Sequence, residues 1–283
     1  AWKWTQTATI ELPEKVAAVF SHPRGSVSYR ALFGGRGSGK SVGAAIMALL
    51  WGYQKPMRIL CVREFQASIA ESFFAELKAA LDLYPWLATH YHVGADTIKG
   101  YNGTEFIFRG LRRNEQSIKS LAKIDLTIVE EAEAIPESSW LLLEATVFRQ
   151  PNSELWSLWN PEHKQSPVDR RFRQHPPDKG LVIAEVNFSD NPFFPAGLER
   201  LRQQQLKTLD PGVYNHIWLG SYLEGVKGAY YREVIDRAYK EERVGFFPRH
   251  AMNKIYAVLD IGSTSTSADA TAMWIVQFVG EEI

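Results

Sequence analysis

One short stretch limits what this chain can fold into more than any other. Val27 to Phe33 (V-S-Y-R-A-L-F) is rich in strand formers, Gly34 to Ser41 spell G-G-R-G-S-G-K-S, and Ser41 to Trp51 (S-V-G-A-A-I-M-A-L-L-W) reads as a buried helix. Strand, G-x-x-x-x-G-K-[ST] loop and helix form the context in which consecutive backbone N–H groups cradle a phosphate. The glycines permit that path because they lack Cβ, and the helix start adds the positive end of its dipole. The expected ligand is a nucleoside triphosphate, ATP, held by Gly35, Arg36, Gly37, Ser38 and Gly39. Lys40 would reach the β- and γ-phosphates, and Ser41 would offer its hydroxyl to Mg²⁺. Arg36 is placed either to offset charge on the γ-phosphoryl group in cis or to face solvent.

Strand-like and helix-like stretches alternate after the loop. Met57–Val62, Ile124–Val129, Leu155–Trp159 and Leu181–Phe188 read as strands. Pro13–Phe20 and Gln66–Leu83 read as helices, the latter through Ile69, Phe73, Leu77, Ala80 and Leu81. Ile98–Lys99 and Thr104–Phe108 flank Gly100-Tyr101-Asn102-Gly103, a hairpin turn signal. This alternation predicts an α/β fold with a mostly parallel central sheet flanked by helices. The character changes near Asp190-Asn191-Pro192. Residues 195–223 read as a polar helical piece, 225–248 as a charged connection, and Ile255–Leu259 with Thr271–Val279 as two further strands. The expected division is residues 1–190, a helical linker or lid at 191–226, and a third part at 227–283.

Lys plus Arg and Asp plus Glu each number 32, which excludes a globally basic nucleic-acid coat but not a local basic channel. The single cysteine, Cys61, rules out an internal disulfide, suits a reducing compartment and lies in an apolar run as an inert core residue. No apolar run approaches a membrane span, and no secretory signal pattern opens the chain. It opens on Ala1, which implies a removed initiator or a trimmed chain.

Hydrolysis needs more than a phosphate loop. Leu126-Thr127-Ile128-Val129-Glu130-Glu131 ends an apolar strand on two carboxylates, at the sheet edge where α/β folds bind ligands. Glu130 is placed to organise Mg²⁺, through water given its extra methylene relative to Asp, and Glu131 to deprotonate the attacking water. The alternative is that Glu130, Glu131 and Glu133 form a solvated acidic turn. Asn160, after Leu155–Trp159, is placed either to sense the γ-phosphate or to cap the strand before Pro161. Arg112 and Arg113 are candidates for a finger given to a neighbouring subunit, or a basic surface turn.

Taken in order, G-G-R-G-S-G-K-S, I-L-C-V-R-E-F-Q-x-S-I, I-K-S-L-A-K-I-D, I-V-E-E-A-E-A, W-N-P, V-N-F-S-D-N-P-x-F-P and Y-N-H-I-W-L-G resemble the large terminase subunit of tailed bacteriophages. The resemblance runs from about Tyr29 to Leu223 and continues weakly to Val279. It implies a P-loop motor that uses ATP and Mg²⁺ to pump double-stranded DNA into a procapsid, followed by an RNase H-like nuclease that cuts genomes with Mg²⁺ or Mn²⁺. It further implies a portal protein and a small terminase subunit as partners. A ring of copies would assemble on the portal in the host cytoplasm, absent from the mature virion. By the resemblance, Lys40 and Ser41 fall in the P-loop, Glu130 is the Walker B carboxylate, Glu131 the catalytic one, and Ser157–Asn160 the coupling motif. Arg63-Glu64 matches a pair of underived role, for which a structural salt bridge is the simple reading.

Asp260, closing Ile255–Asp260, matches the first metal carboxylate of the nuclease fold, or is a turn aspartate before Gly262; Asp269 is a weaker second. Two-metal hydrolysis needs several converging carboxylates, and the chain ends at Ile283 before supplying them. Residues 227–283 are therefore expected to be a truncated nuclease start that does not cut DNA. Two other readings remain open: another P-loop DNA motor such as a helicase, or a nuclease with a regulatory nucleotide fold.

Overall fold

A computed structural model describes residues 9–64, 73–112, 118, 121, 123–223, 237, 241, 243, 249, 251–260 and 272–278. The chain divides into two compact units, Ala1–Val226 and Lys227–Ile283.

The first unit is built on an eight-stranded sheet. Its strands are β1 (Tyr29–Phe33), β2 (Arg58–Arg63), β3 (Tyr91–Val93), β4 (Ile98–Gly100), β5 (Glu105–Gly110), β6 (Leu126–Val129), β7 (Glu154–Trp159) and β8 (Leu181–Glu185). The order is β3-β4-β5-β2-β6-β7-β1-β8. From β5 to β8 all neighbours are parallel, while β3, β4 and β5 pair antiparallel. The helices are α1 (Glu14–Phe20), α2 (Lys40–Gln54), α3 (Phe73–Leu83), α4 (Pro85–Ala88), α5 (Glu137–Val147), α6 (Pro167–Asp169), α7 (Ala196–Thr208) and α8 (Pro211–Leu219).

Two apolar layers sandwich the sheet. On one side Leu32, Ile59, Cys61, Ile128 and Trp156 pack with Ala44, Ala45, Ala48 and Leu49 of α2, Val16 of α1 and Leu77 of α3. On the other, Ala31, Phe33, Leu60, Val62, Val129 and Trp159 pack with Trp140, Leu143 and Val147 of α5 and with Phe172. Alternate residues of a strand point to opposite faces, so a strand buried on both sides is apolar throughout. That is why β6 (L-T-I-V) and β7 (E-L-W-S-L-W) are buried at every position. α2 is apolar almost all round because α1, α3 and the sheet enclose it.

The antiparallel hairpin reading around Gly100–Gly103 holds, with Asn102 Oδ1 accepting from the Thr104 amide at 3.0 Å. The strand expected over Leu181–Phe188 stops at Glu185. The reason is local: Asn187 and Asp190 cap each other's backbone and wind Phe188–Asp190 into a tight turn. Of the helix expected over Gln66–Leu83, Phe73–Leu83 is present and 65–72 lies outside the described residues. The sequence reading missed β3, α4, α5 and α6. In the second unit, β9 (Tyr256–Asp260) and β10 (Ala272–Val276) pair antiparallel, Asp260 opposite Ala272.

A buried ion pair closes the end of the sheet opposite the phosphate loop. Arg30 Nε donates to Glu154 Oε2 at 2.7 Å, and the guanidinium also donates to the carbonyls of Val19, His22 and Pro23. Glu154 accepts from the Gly25 amide at 2.6 Å and from Trp156 Nε1 at 2.9 Å. Trp51 covers the guanidinium at 4.9 Å. Removing one charge strands the other where water cannot reach it. Glu154→Ala is therefore expected to lower unfolding free energy by about 3–5 kcal/mol in urea titrations, and Arg30→Met with Glu154→Leu by clearly less than the sum of the two single changes.

Candidate functional site

The strand order lines up four strand ends. β7 lies between β1 and β6, and β6 is followed by β2. Register sets Phe33 beside Trp159 and Val129 beside Ser157. The residues that follow these strands therefore emerge side by side: the phosphate loop after β1, Asn160 after β7, Glu130 and Glu131 after β6, and Glu64 after Arg63 at the end of β2.

The loop is held in shape by its surroundings. The Gly35 amide donates to Asn187 Oδ1 at 2.7 Å, the Arg36 amide to the Ile217 carbonyl at 2.7 Å, and Asn191 Nδ2 to the Gly37 carbonyl at 2.7 Å. Gly35 touches the Trp218 carbonyl so closely that a Cβ would overlap it. Gly39 has φ +82°, a left-handed conformation that lets the chain turn directly into α2. Among the described residues, the amides of Gly37, Ser38 and Gly39 donate to no protein acceptor. With the first turn of α2 they form a concave set of donors suited to an anion.

Lys40 is buried, and its Nζ donates to the Gly34 carbonyl at 2.9 Å, the Gly35 carbonyl at 2.7 Å, Ser38 Oγ at 2.9 Å and Asn160 Oδ1 at 3.3 Å. Burial pushes its pKa down to about 7. Asn160 thus contacts the phosphate-loop lysine directly. Ser157, the other polar side chain in the stretch to Asn160, is enclosed in β7.

Glu131 takes φ +48°, ψ +46°, a left-handed position unusual for a residue with a side chain. That kink turns the chain away from β6 and leaves the Glu131 side chain 60 % exposed and ion-paired with Arg63. Glu130 is mostly buried and 3.7 Å from Arg63 Nε. The simple salt-bridge reading is of the pair Arg63-Glu64; Arg63 forms ion pairs with Glu130 and Glu131, the two carboxylates of the site. Glu133 points elsewhere: it accepts from the Glu162 and His163 amides at 3.0 and 2.9 Å and from Ser166 Oγ at 3.1 Å. It staples the turn after β6 to the loop after Asn160, and burial raises its pKa against those hydrogen bonds.

Arg36, Gly37, Ser38, Gly39, Lys40, Ser41, Glu76, Glu130, Glu131, Asn160 and His216 line one cleft of about 520 Å³, within the range of small-ligand sites. Arg36 is exposed at its mouth. A hydroxyl and a carboxylate, Ser41 and Glu130, present the hard oxygen donors that suit Mg²⁺. Arg112 is exposed, its amide bonded to the Glu64 carbonyl at 3.0 Å. Arg113, Asp269 and the side chain of Asp260 lie outside the described residues.

Sequence reasoning did not find Asn187, Asn191, Glu76 or His216. The mutual cap of Asn187 and Asp190 was open to recognition as an N-x-x-D pattern, but that it grips the phosphate loop needed the fold.

Comparison with known proteins agrees with this geometry. Residues 27–221 match the family model for the phage terminase large subunit. The large terminase subunit of Bacillus phage SPP1 is 24 % identical over 282 aligned residues, covering 86 % of this chain and 66 % of that one. The large terminase of a thermophilic bacteriophage, solved in complex with ADP, superposes with a TM-score of 0.63 at 16 % identity, covering 95 % of this chain and 65 % of that one. The ATPase domain of the Thermus phage P74-26 large terminase gives 0.54 at 14 % identity, covering 74 % of this chain and 92 % of that one. The chain thus spans just under two thirds of the SPP1 protein and of the ADP-bound terminase. On the family match across its P-loop unit, this chain belongs to the phage terminase large subunit family.

Proposed function

We propose that this chain binds ATP in the P-loop cleft and hydrolyses it to move double-stranded DNA into a procapsid. The observation that carries the reading is the convergence of Lys40, Asn160, Glu130 and Glu131 on one cleft from three adjacent strand ends. In this reading the free amides of Gly37 to Gly39 and the Lys40 ammonium bind the β- and γ-phosphates. Lys40 then exchanges carbonyl oxygens for phosphate oxygens. Ser41 and, through water, Glu130 would hold Mg²⁺, which supplies positive charge against the β- and γ-phosphates. Glu131 accepts the proton of the attacking water as its oxygen bonds to the γ-phosphorus and the bond to ADP breaks. Arg63 is the group from which Glu131 must be released, or with which it must be shared, to face that water. Arg36 offsets charge on the γ-phosphoryl group.

The Asn160 contact and the Glu133 staple tie the phosphate site to the loop carrying Glu162. The amide of Leu223 donates to the Glu162 carbonyl at 2.8 Å, and Tyr222 donates to Asp169 at 2.8 Å. The helical pair α7 and α8 touches the phosphate loop through Ile217 and Trp218. Loss of the γ-phosphate would therefore shift both the helical pair and the chain leaving it. DNA would be gripped through its phosphates by a ring of copies on a portal protein, with a small terminase subunit supplying the genome. Assembly would take place in the host cytoplasm. A metal-dependent nuclease is proposed for the complete protein, with Asp260 as its first metal carboxylate.

Three outcomes are expected. Glu131→Gln should bind a fluorescent ATP analogue within about twofold of the parent while phosphate release falls at least ~100-fold, the usual size of a general-base contribution. Parent-level turnover would remove Glu131 from the mechanism. Second, Lys40 titrates near 7 when free, and phosphate charge raises its pKa on binding. Nucleotide binding should therefore take up a proton at pH 8 and little at pH 6, with affinity falling as pH rises through 7 to 9. Calorimetry in buffers of different ionisation enthalpy reads this directly. Third, turnover should rise strongly only when procapsid and linear duplex DNA are both present.

A further inference from the structure

The charges lining the cleft do not balance. The cleft is lined by Arg36, Lys40 and His216 and by five carboxylates, Glu76, Glu130, Glu131, Glu133 and Glu162, and a triphosphate adds about four more negative charges. Three of the carboxylates have partners: Arg63 holds Glu130 and Glu131, and Glu133 is occupied by two amides and a hydroxyl; Glu162 is exposed to solvent, which screens its charge. Glu76 is different. It lies in the first turn of α3, partly buried, lines the cleft, and has no hydrogen bond or ion pair to any described residue. Burial raises its pKa, and the charge of Glu130 raises it further. A carboxylate beside an anion site weakens binding of that anion unless a cation enters with it.

We infer that Glu76 makes nucleotide binding conditional on the metal: its carboxylate opposes a bare triphosphate and favours the Mg²⁺-bound one. Ser41 and Glu130 would hold the ion; Glu76 adds a further negative charge that makes the metal-free nucleotide a poor ligand. The inference rests on the nucleotide site proposed above. Its consequence is selectivity for Mg²⁺–ATP over free ATP.

The test compares the 283-residue chain with Glu76→Gln, Glu76→Ala and Glu76→Asp at pH 8. A fluorescent ATP analogue is titrated in Mg²⁺ and in EDTA, and Mn²⁺ uptake with nucleotide is followed by electron paramagnetic resonance. The expected result is that Glu76→Gln and Glu76→Ala bind the analogue more tightly in EDTA than the parent. Their gain in affinity on adding Mg²⁺ shrinks about fivefold, as one unit charge across a half-solvated cleft would give. Mn²⁺ uptake should weaken in parallel, and Glu76→Asp should stay near the parent. A packing role would loosen both conditions alike; that outcome, or an unchanged ratio, overturns the inference. Failure of the parent to bind the analogue in Mg²⁺ would instead overturn the nucleotide site itself.

Discussion

A parallel sheet buried on both faces leaves its strands mostly apolar, so the polar groups that meet solvent gather at the strand ends. That constraint organises the first unit. β1, β7, β6 and β2 lie in that order, and each turns from apolar to polar as it leaves the sheet: Gly34 onward, Asn160, Glu130-Glu131, and Arg63-Glu64. The cleft is the row of those transitions. β7, placed between the phosphate loop and the acidic strand, lets one amide, Asn160, touch Lys40 while its own loop is stapled to the acidic turn by Glu133.

Buried charge then decides how the row is arranged. Lys40 sits away from water and depends on four oxygens, so a phosphate entering the loop replaces partners rather than meeting an idle cation. Arg63, equally buried, is tied to Glu130 and Glu131. Both of these buried cations are matched by oxygens, so in the proposed mechanism releasing Glu131 from Arg63 would carry an energetic cost. Asn187, Asn191 and Ile217 complete the arrangement from outside by gripping the loop backbone.

The phosphate loop, the acidic pair and Asn160 were legible because their chemistry needs residue types at fixed short spacings, flanked by runs with strand or helix character. Cys61 was legible as core for the same reason. Arg63 was visible only as a residue after a strand, since its partners Glu130 and Glu131 lie on a strand far along the chain. Glu76 read as one more charge on an amphipathic helix, and Asn187 was assigned to a strand that in fact ends at Glu185. α5 escaped because E-S-S-W-L-L-L-E carries its apolar residues in a run that does not announce a helix face, and only one side of it, with Trp140, Leu143 and Val147, turns inward.

Read alone, the sequence determined the strand–loop–helix unit and the mostly parallel α/β class, because backbone sterics and local periodicity act over a few residues. Tertiary structure decided which strand ends become neighbours, which carboxylates Arg63 restrains, and which asparagine holds the loop. Those outcomes depend on strand order and burial, and both are set by how distant apolar faces close over one another.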